Sequence, residues 1–291
     1  EQPPCEGEAI DMIAFSLSGG ATSATASGLP AGLVFDATAL TITGVPTDNI
    51  TSVKTYNYTI TTTGSGCESD NITGTITVNP LDELTTTSET DPVECSATAI
   101  TPIQYTLGGG ATGATISWDV DPVSITFDSA TTTISGTTPT VTTTKTYTYT
   151  LISTGGSCPD TATGTITVNP DGVITHDTAQ GALDQTLCEG EAIETISFSL
   201  SGGATGATIS WDVVPSGINF DPVALTISGT PTDDVTSVAT YTYTVTTTGS
   251  GCEPDDISGV ITVNPLDELE LTTTSNNTAV ECSATAITPT Q

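Results

Sequence analysis

The chain has 291 residues, and its 34 acidic side chains face only two lysines, giving a formal charge of −32 with a single histidine. Such a charge excludes nucleic-acid binding, which needs a basic surface for phosphate contacts, and by itself implies solubility and repulsion between neighbouring copies. No apolar run reaches the 18 or more residues of a membrane-spanning helix, and no signal peptide precedes Glu1, so any export signal or anchor is expected outside this sequence.

Helical periodicity is nearly absent, and runs of period two recur along the chain. After Cys5, a first core strand is expected near Ile13 and Phe15. Gly28 to Asp36 follows, with Leu33 and Phe35 facing one way, and the Phe-Asp step turns the chain into a short strand that carries Leu40 and Ile42 inward. Gly44 and Pro46 end that strand. Tyr56, Tyr58 and Ile60 then alternate with Thr and Asn, and after Cys67 a closing strand sets Ile72, Gly74, Ile76 and Val78 on one face. The same order returns with Tyr147, Tyr149 and Leu151, and again with Tyr241, Tyr243 and Val245. Thr and Ser outward with Val, Ile and Tyr inward is the chemistry of an antiparallel sandwich, so the fold class is all-β.

Three segments close alike: Gly74 to Pro80, Gly164 to Pro170 and Gly259 to Pro265. The repeats are therefore residues 1–80, 81–170 and 171–265, with a fourth begun at 266–291. Cys5 to Ile10 returns at Cys188 to Ile193, and Leu81 to Leu84 returns at Leu266 to Leu269, so two repeat types alternate as A, B, A, B.

The cysteines keep time with the repeat. Cys5 and Cys67, Cys95 and Cys158, and Cys188 and Cys252 lie 62, 63 and 64 positions apart (67 − 5, 158 − 95, 252 − 188). We expect one disulfide within each repeat, pairing them in that order. Closing a loop of about 60 residues stabilises a small domain by roughly 4 kcal/mol in the chain-entropy view. Cys282 repeats the setting of Cys95 and is read as the opening half of a fourth staple, its mate beyond Gln291 and the chain a piece of a longer array. Metal binding by these cysteines is disfavoured, because no Cys-x-x-Cys pair exists and His176 is the only histidine. Disulfides imply an oxidising, extracytoplasmic compartment.

Other chemistry is sparse. Divalent cations are a secondary expectation, with calcium at Asp119 and Asp121 or at Glu253, Asp255 and Asp256, although no helix-loop-helix calcium spacing occurs. Asp36, Asp128 and Asp221 follow Phe at one repeat position and are read as turn caps. Trp118 and Trp211 occupy matching places, where the first repeat has Gly28, and are read as core residues rather than a sugar platform. His176 is read as a linker or edge residue, and Lys54 and Lys145 as solvated amines rather than isopeptide donors. Catalytic residues are expected nowhere, and the chain is not read as an enzyme.

Leu-Pro-x-Gly-Leu-x-Phe-Asp at residues 29–36, followed by Thr-Ile-x-Gly-x-Pro-Thr at 41–47, resembles the immunoglobulin-like repeats of bacterial surface proteins. The whole repeat, with its early Cys-x-Gly, late cysteine and terminal Ile-Thr-Val-Asn-Pro, is similar to the PKD-like and Ig-like arrays of Bacteroidetes surface adhesins, including giant gliding-motility adhesins. Type B departs from the pattern at Asp121 to Asp128, which lacks Pro-x-Gly. The resemblance implies tandem Ig-like sandwiches at the bacterial cell surface. It also implies O-glycosylation at Ser129, Thr161 and Thr178, each preceded by Asp and followed by Ala. Asn49, Asn57, Asn71 and Asn276 stand in N-glycosylation sequons.

The function expected is the stalk of an extracellular fibre or adhesin; the alternative is a multivalent array that binds polysaccharide or protein. The partners expected are neighbouring repeats of the same chain and other copies in a filament.

Overall fold

A computed structural model describes residues 3–64, 66 and 68–267, and every helix or strand assigned among them is a strand. The expected Cys67 and Cys282 bonds, and all but the first two residues of the fourth repeat, lie outside the described residues. The chain divides into two compact units. The first is Glu1–Thr175 with Ser199–Thr208 and Val245–Ile257; the second is His176–Phe198 with Ile209–Thr244 and Ser258–Gln291.

In the first unit, residues 3–79 form two three-stranded sheets. Leu33–Asp36 and Ile13–Ala14 flank Thr41–Gly44 in one, and Ser23–Ser27 and Asn71–Val78 flank Lys54–Thr63 in the other. Alternation works as the sequence implies, because period two sends every second side chain to the same face. Ala24, Leu33, Ile42, Tyr58, Ile60, Ile76 and Val78 are buried together between the two sheets, with Phe15 and Phe35 packed against them. Ile72 keeps the expected face, opposite the buried Ile60, but is itself 55% exposed.

Residues 81–169 repeat this plan. Gly113–Trp118, Lys145–Thr154, Thr161–Asn169 and Val93–Cys95 make a four-stranded sheet, opposed by Ile103–Gln104, Thr133–Gly136 and Ile125–Asp128. The first and last strands of the larger sheet, Val93–Cys95 and Thr161–Asn169, run parallel, with Cys95 opposite Asn169. Its core gathers Ile103, Ile125, Ile134, Tyr147, Tyr149, Leu151, Ile166 and Val168, all at most 3% exposed.

The second unit shows the corresponding pieces. Gln185–Cys188 runs parallel to Asp256–Asn264 with Cys188 opposite Asn264, Ile218–Asp221 pairs antiparallel with Thr226–Gly229, and Ile196 lies opposite Ile227. Ile196, Ile227, Tyr243, Ile261 and Val263 are fully buried.

One device recurs in all the cores. Tyr58 lies opposite Gly74 and Tyr149 opposite Gly164 across the central hairpin. A Cβ on Gly74, Gly164 or Gly259 would overlap the ring or hydroxyl of Tyr58, Tyr149 or Tyr243 respectively, so the tyrosine covers a glycine that has no side chain to resist it. The Tyr149 hydroxyl donates to Thr90 O at 3.2 Å, and that of Tyr243 to Leu183 O at 2.9 Å, tying each core to backbone upstream. Burial pushes both hydroxyls above the ordinary phenol range.

Candidate functional site

The chain's covalent chemistry lies at the cysteines, and the strand directions decide where each one sits. Within residues 54–78, Lys54 pairs with Val78 at one end of the central hairpin and Thr61 with Asn71 at the other; within 145–168, Lys145 pairs with Val168 and Ile152 with Thr161. The late cysteine follows the far end of this hairpin. The early cysteine sits at the near end, because Cys5 bridges to Asn79 and Cys95 pairs with Asn169, each just before the proline that closes its own repeat. The strand Thr161–Asn169 has nine residues, so it holds Cys95 and Cys158 at ends roughly 27 Å apart at about 3.4 Å per residue. A disulfide needs Cα atoms within about 7 Å.

The bond within one repeat is thus excluded by geometry, and the structure corrects the expected pairing. Cys5 is bonded to Cys158 with Cα atoms 5.8 Å apart, and Cys95 to Cys252 with Cα atoms 5.5 Å apart. Cys5–Cys67, Cys95–Cys158 and Cys188–Cys252 are therefore all replaced. Each observed bond joins the early cysteine of one repeat to the late cysteine of the next, and Cys188 is exposed with a free thiol.

The surroundings of the first bond show how the seat is built. Asn79 donates from its backbone to Pro4 O at 2.9 Å and from its side chain to Pro3 O at 3.1 Å, and its carbonyl accepts Glu6 N at 2.9 Å. The Glu6 carboxylate accepts the amides of Asn49 and Ile50, fastening the loop that leads into the Tyr-rich strand. From the following repeat, Cys158 O accepts Asp82 N at 2.9 Å, which places the late cysteine against the first residues after the linker Asn79-Pro80-Leu81. Two covalent connections thus cross one short junction. At the second bond, Ser96 N donates to Asn169 O at 2.9 Å, Ser96 Oγ accepts Val141 N at 3.1 Å, and Cys252 Sγ lies 3.8 Å from Asn169 O.

The remaining candidates fall into structural roles. Asp36 Oδ1 accepts the amides of Thr38 and Ala39, Asp128 Oδ1 that of Ala130, and Asp221 Oδ1 those of Val223 and Ala224, as expected of turn caps. Asp119 Oδ1 accepts Val120 N and Thr148 N, Asp121 Oδ1 accepts Val123 N, and Asp255 accepts Ile174 N and Asp256 N, so these expected calcium ligands already hold backbone amides. Glu253 and Asp256 are exposed. Cys95, Asp171 and Cys252 form a group of possible metal donors, but the disulfide leaves its two sulfurs without thiolate character.

Those amide bonds hold Asp36, Asp119, Asp128 and Asp221 below the usual carboxylate value of 3.8. The folded state therefore favours the charged form. Its contribution is complete above the unfolded value and is lost as pH falls through the lower folded values. In 0.5 M salt, which screens the repulsion among carboxylates, the melting temperature should fall steadily as pH drops from about 4 to 2. A flat profile over that window would show that the caps contribute nothing.

Trp118 packs edge-on to Tyr149 with ring centroids 5.5 Å apart, and Trp211 tilts against Tyr243 at 5.2 Å, in agreement with their core reading. Every aromatic side chain in the sequence is at least half-buried. His176 ends an edge strand, with Nε2 2.8 Å from Gly181 O and its ring beside Phe198. Lys54 and Lys145 lay their ammonium groups over Tyr56 and Tyr147 at 4.6 and 4.9 Å, which are cation–π contacts of free amines. Ser129, Thr161 and Thr178 are exposed, as are Asn57 and Asn71.

Residues 10–79 and 182–264, more than half of the chain, match the family model described as "Putative Ig domain". No curated protein sequence matches. Among solved structures, the chain is similar to the three titin Ig domains I67–I69 in an E-to-A mutated variant, at 10% identity over 91% of this chain and 95% of that one, with a TM-score of 0.53. It is also similar to mouse cadherin-23 EC22-24, at 13% identity over 84% and 86% of the two chains with a TM-score of 0.41. The human desmocollin-1 ectodomain matches at 13% identity over 85% of this chain with a TM-score of 0.38, and this chain spans only 56% of it. The titin likeness shows the fold: tandem Ig-like β-sandwiches.

Proposed function

Because the chain belongs to the Putative Ig domain family, we propose that it is an extracellular structural array, the load-bearing stalk of a surface adhesin or fibre. The Cys5–Cys158 bond beside the Asn79-Pro80-Leu81 link carries this reading. A single peptide link between two domains is a flexible joint by default; a second covalent tie across the same junction limits how far it bends or opens. The disulfides support an oxidising compartment for the chain. The bacterial cell surface, and the adhesin type that the sequence resembles, follow as the finer form of the same proposal. No aromatic side chain is more than partly exposed, which favours the stalk over an array that stacks sugars on open rings.

Single-molecule extension tests the load-bearing role. Pulled from its ends, the reduced chain exposes 247 residues between Cys5 and Cys252 (252 − 5), whereas the oxidised covalent route contains only the 63 between Cys95 and Cys158 (158 − 95). At about 3.4 Å per residue, the contour released between those points should be roughly 210 Å oxidised and 840 Å reduced. Equal contour lengths in both states would refute the stalk mechanism.

A further inference from the structure

We propose that Cys188 is the third member of a forward disulfide ladder and bonds the late cysteine of a type-B repeat joined after Pro265. The two formed bonds obey one rule. Cys5 of a type-A repeat takes Cys158 of the following type-B repeat, and Cys95 of that type-B repeat takes Cys252 of the next type-A repeat.

Cys188 occupies the same backbone seat as its two bonded equivalents. It pairs with Asn264 as Cys95 pairs with Asn169 and as Cys5 bridges to Asn79. The next residue donates its amide to that asparagine in every copy: Glu6 to Asn79 O at 2.9 Å, Ser96 to Asn169 O at 2.9 Å, and Glu189 to Asn264 O at 3.0 Å. The residue after each early cysteine also fastens the loop before the Tyr-rich strand, through Glu6 to Ile50 N, Ser96 to Val141 N and Glu189 to Val235 N. What differs is occupancy of the sulfur, since Cys5 and Cys95 are bonded and half-buried while Cys188 is free and exposed. The seat is complete before the bond forms. The late cysteine of its own repeat cannot fill it, because Cys252 is already bonded to Cys95.

The partner is specified by chemistry and place. It is a thiol in a turn of the kind that carries Cys158, Gly155-Gly156-Ser157-Cys158-Pro159, following the Tyr-rich strand of a type-B repeat. Residues 266–291 open such a repeat, as a near copy of residues 81–104. In the bond-forming step, one thiolate attacks an oxidised dithiol carrier to give a mixed disulfide. The second thiolate then displaces the carrier, so that one Sγ–Sγ bond forms, two thiol protons are lost, and the carrier's disulfide is reduced to two thiols.

Completing the fourth repeat tests the inference. The full chain is extended after Gln291 with a copy of residues 105–170, produced in an oxidising compartment, alkylated without reductant and digested at acidic residues for mass spectrometry. The expected result is a peptide linking Cys188 to the appended copy of Cys158, with Cys188 unalkylated. A second extended chain carrying serine for that appended cysteine should leave Cys188 fully alkylated while the Cys95–Cys252 peptide persists as evidence of folding. An alkylated Cys188 in the first chain, or its linkage to any other cysteine, overturns the proposal.

Discussion

Replacing Cys5 and Cys158 together by serine should lower the unfolding free energy of the first unit by about 3–5 kcal/mol and its melting temperature by about 10 °C. The bond closes a separation of 153 residues. In the chain-entropy model a loop of that size is worth about 5 kcal/mol through restriction of the unfolded chain, and native strain reduces the figure. The double replacement adds no free thiol beyond Cys188 that could exchange with Cys95–Cys252. Calorimetry with and without reductant separates the contributions. Reductant should lower the wild-type transition further than the replacement does, because it also opens Cys95–Cys252, and should still lower the variant. A variant that melts within about 2 °C of wild type would show that the staple leaves the fold's stability untouched and acts on the junction alone.

The second large effect is expected at Gly164. Its added methyl group in Gly164→Ala would meet the Tyr149 hydroxyl and Thr90 O, and Tyr149 is fully buried with its ring against Trp118. Overpacking of a closed core costs about 1–3 kcal/mol. The lost Tyr149–Thr90 hydrogen bond adds about 1 kcal/mol, so the substitution should destabilise by about 2–4 kcal/mol. Tyr149→Phe alone removes the hydroxyl and should cost about 1–2 kcal/mol. Combined with Gly164→Ala it relieves part of the clash, so the two losses should sum to more than the double variant shows. Denaturant melts of the four chains measure this directly. Strict additivity would mean that the tyrosine and glycine do not act as a pair.

These two sites show how far the sequence carries the structure. Tyr149 and Gly164 were legible as members of alternating strands, because burial of one face imposes period two and the copies repeat it. That the glycine serves the tyrosine was not legible, since cross-strand register depends on pairings that no single strand contains. Asp36, Asp128 and Asp221 were readable as turn caps because their partners lie two or three residues away. Leu40, Thr132 and Leu225, which share a left-handed backbone at one turn position with φ of 58°, 51° and 54°, carry no such local signal.

The cysteines make the point most sharply. Regular spacings of 62 to 64 residues identify equivalent positions and say nothing of which copies meet. The deciding fact is direction. The opening strand runs parallel to the closing one and ends beside its terminal asparagine, so the early cysteine faces the next repeat while the late cysteine faces the previous one. Strand order and direction are long-range properties, and they turned an expected staple within each repeat into one between repeats.

Non-reducing peptide mapping of the purified chain tests this arrangement most directly. Lysine occurs only at positions 54 and 145, so cleavage at acidic residues is the suitable digest. The forward ladder predicts linked peptides containing Cys5 with Cys158 and Cys95 with Cys252, and an alkylated Cys188. Linked peptides containing Cys5 with Cys67, Cys95 with Cys158 and Cys188 with Cys252 would contradict it.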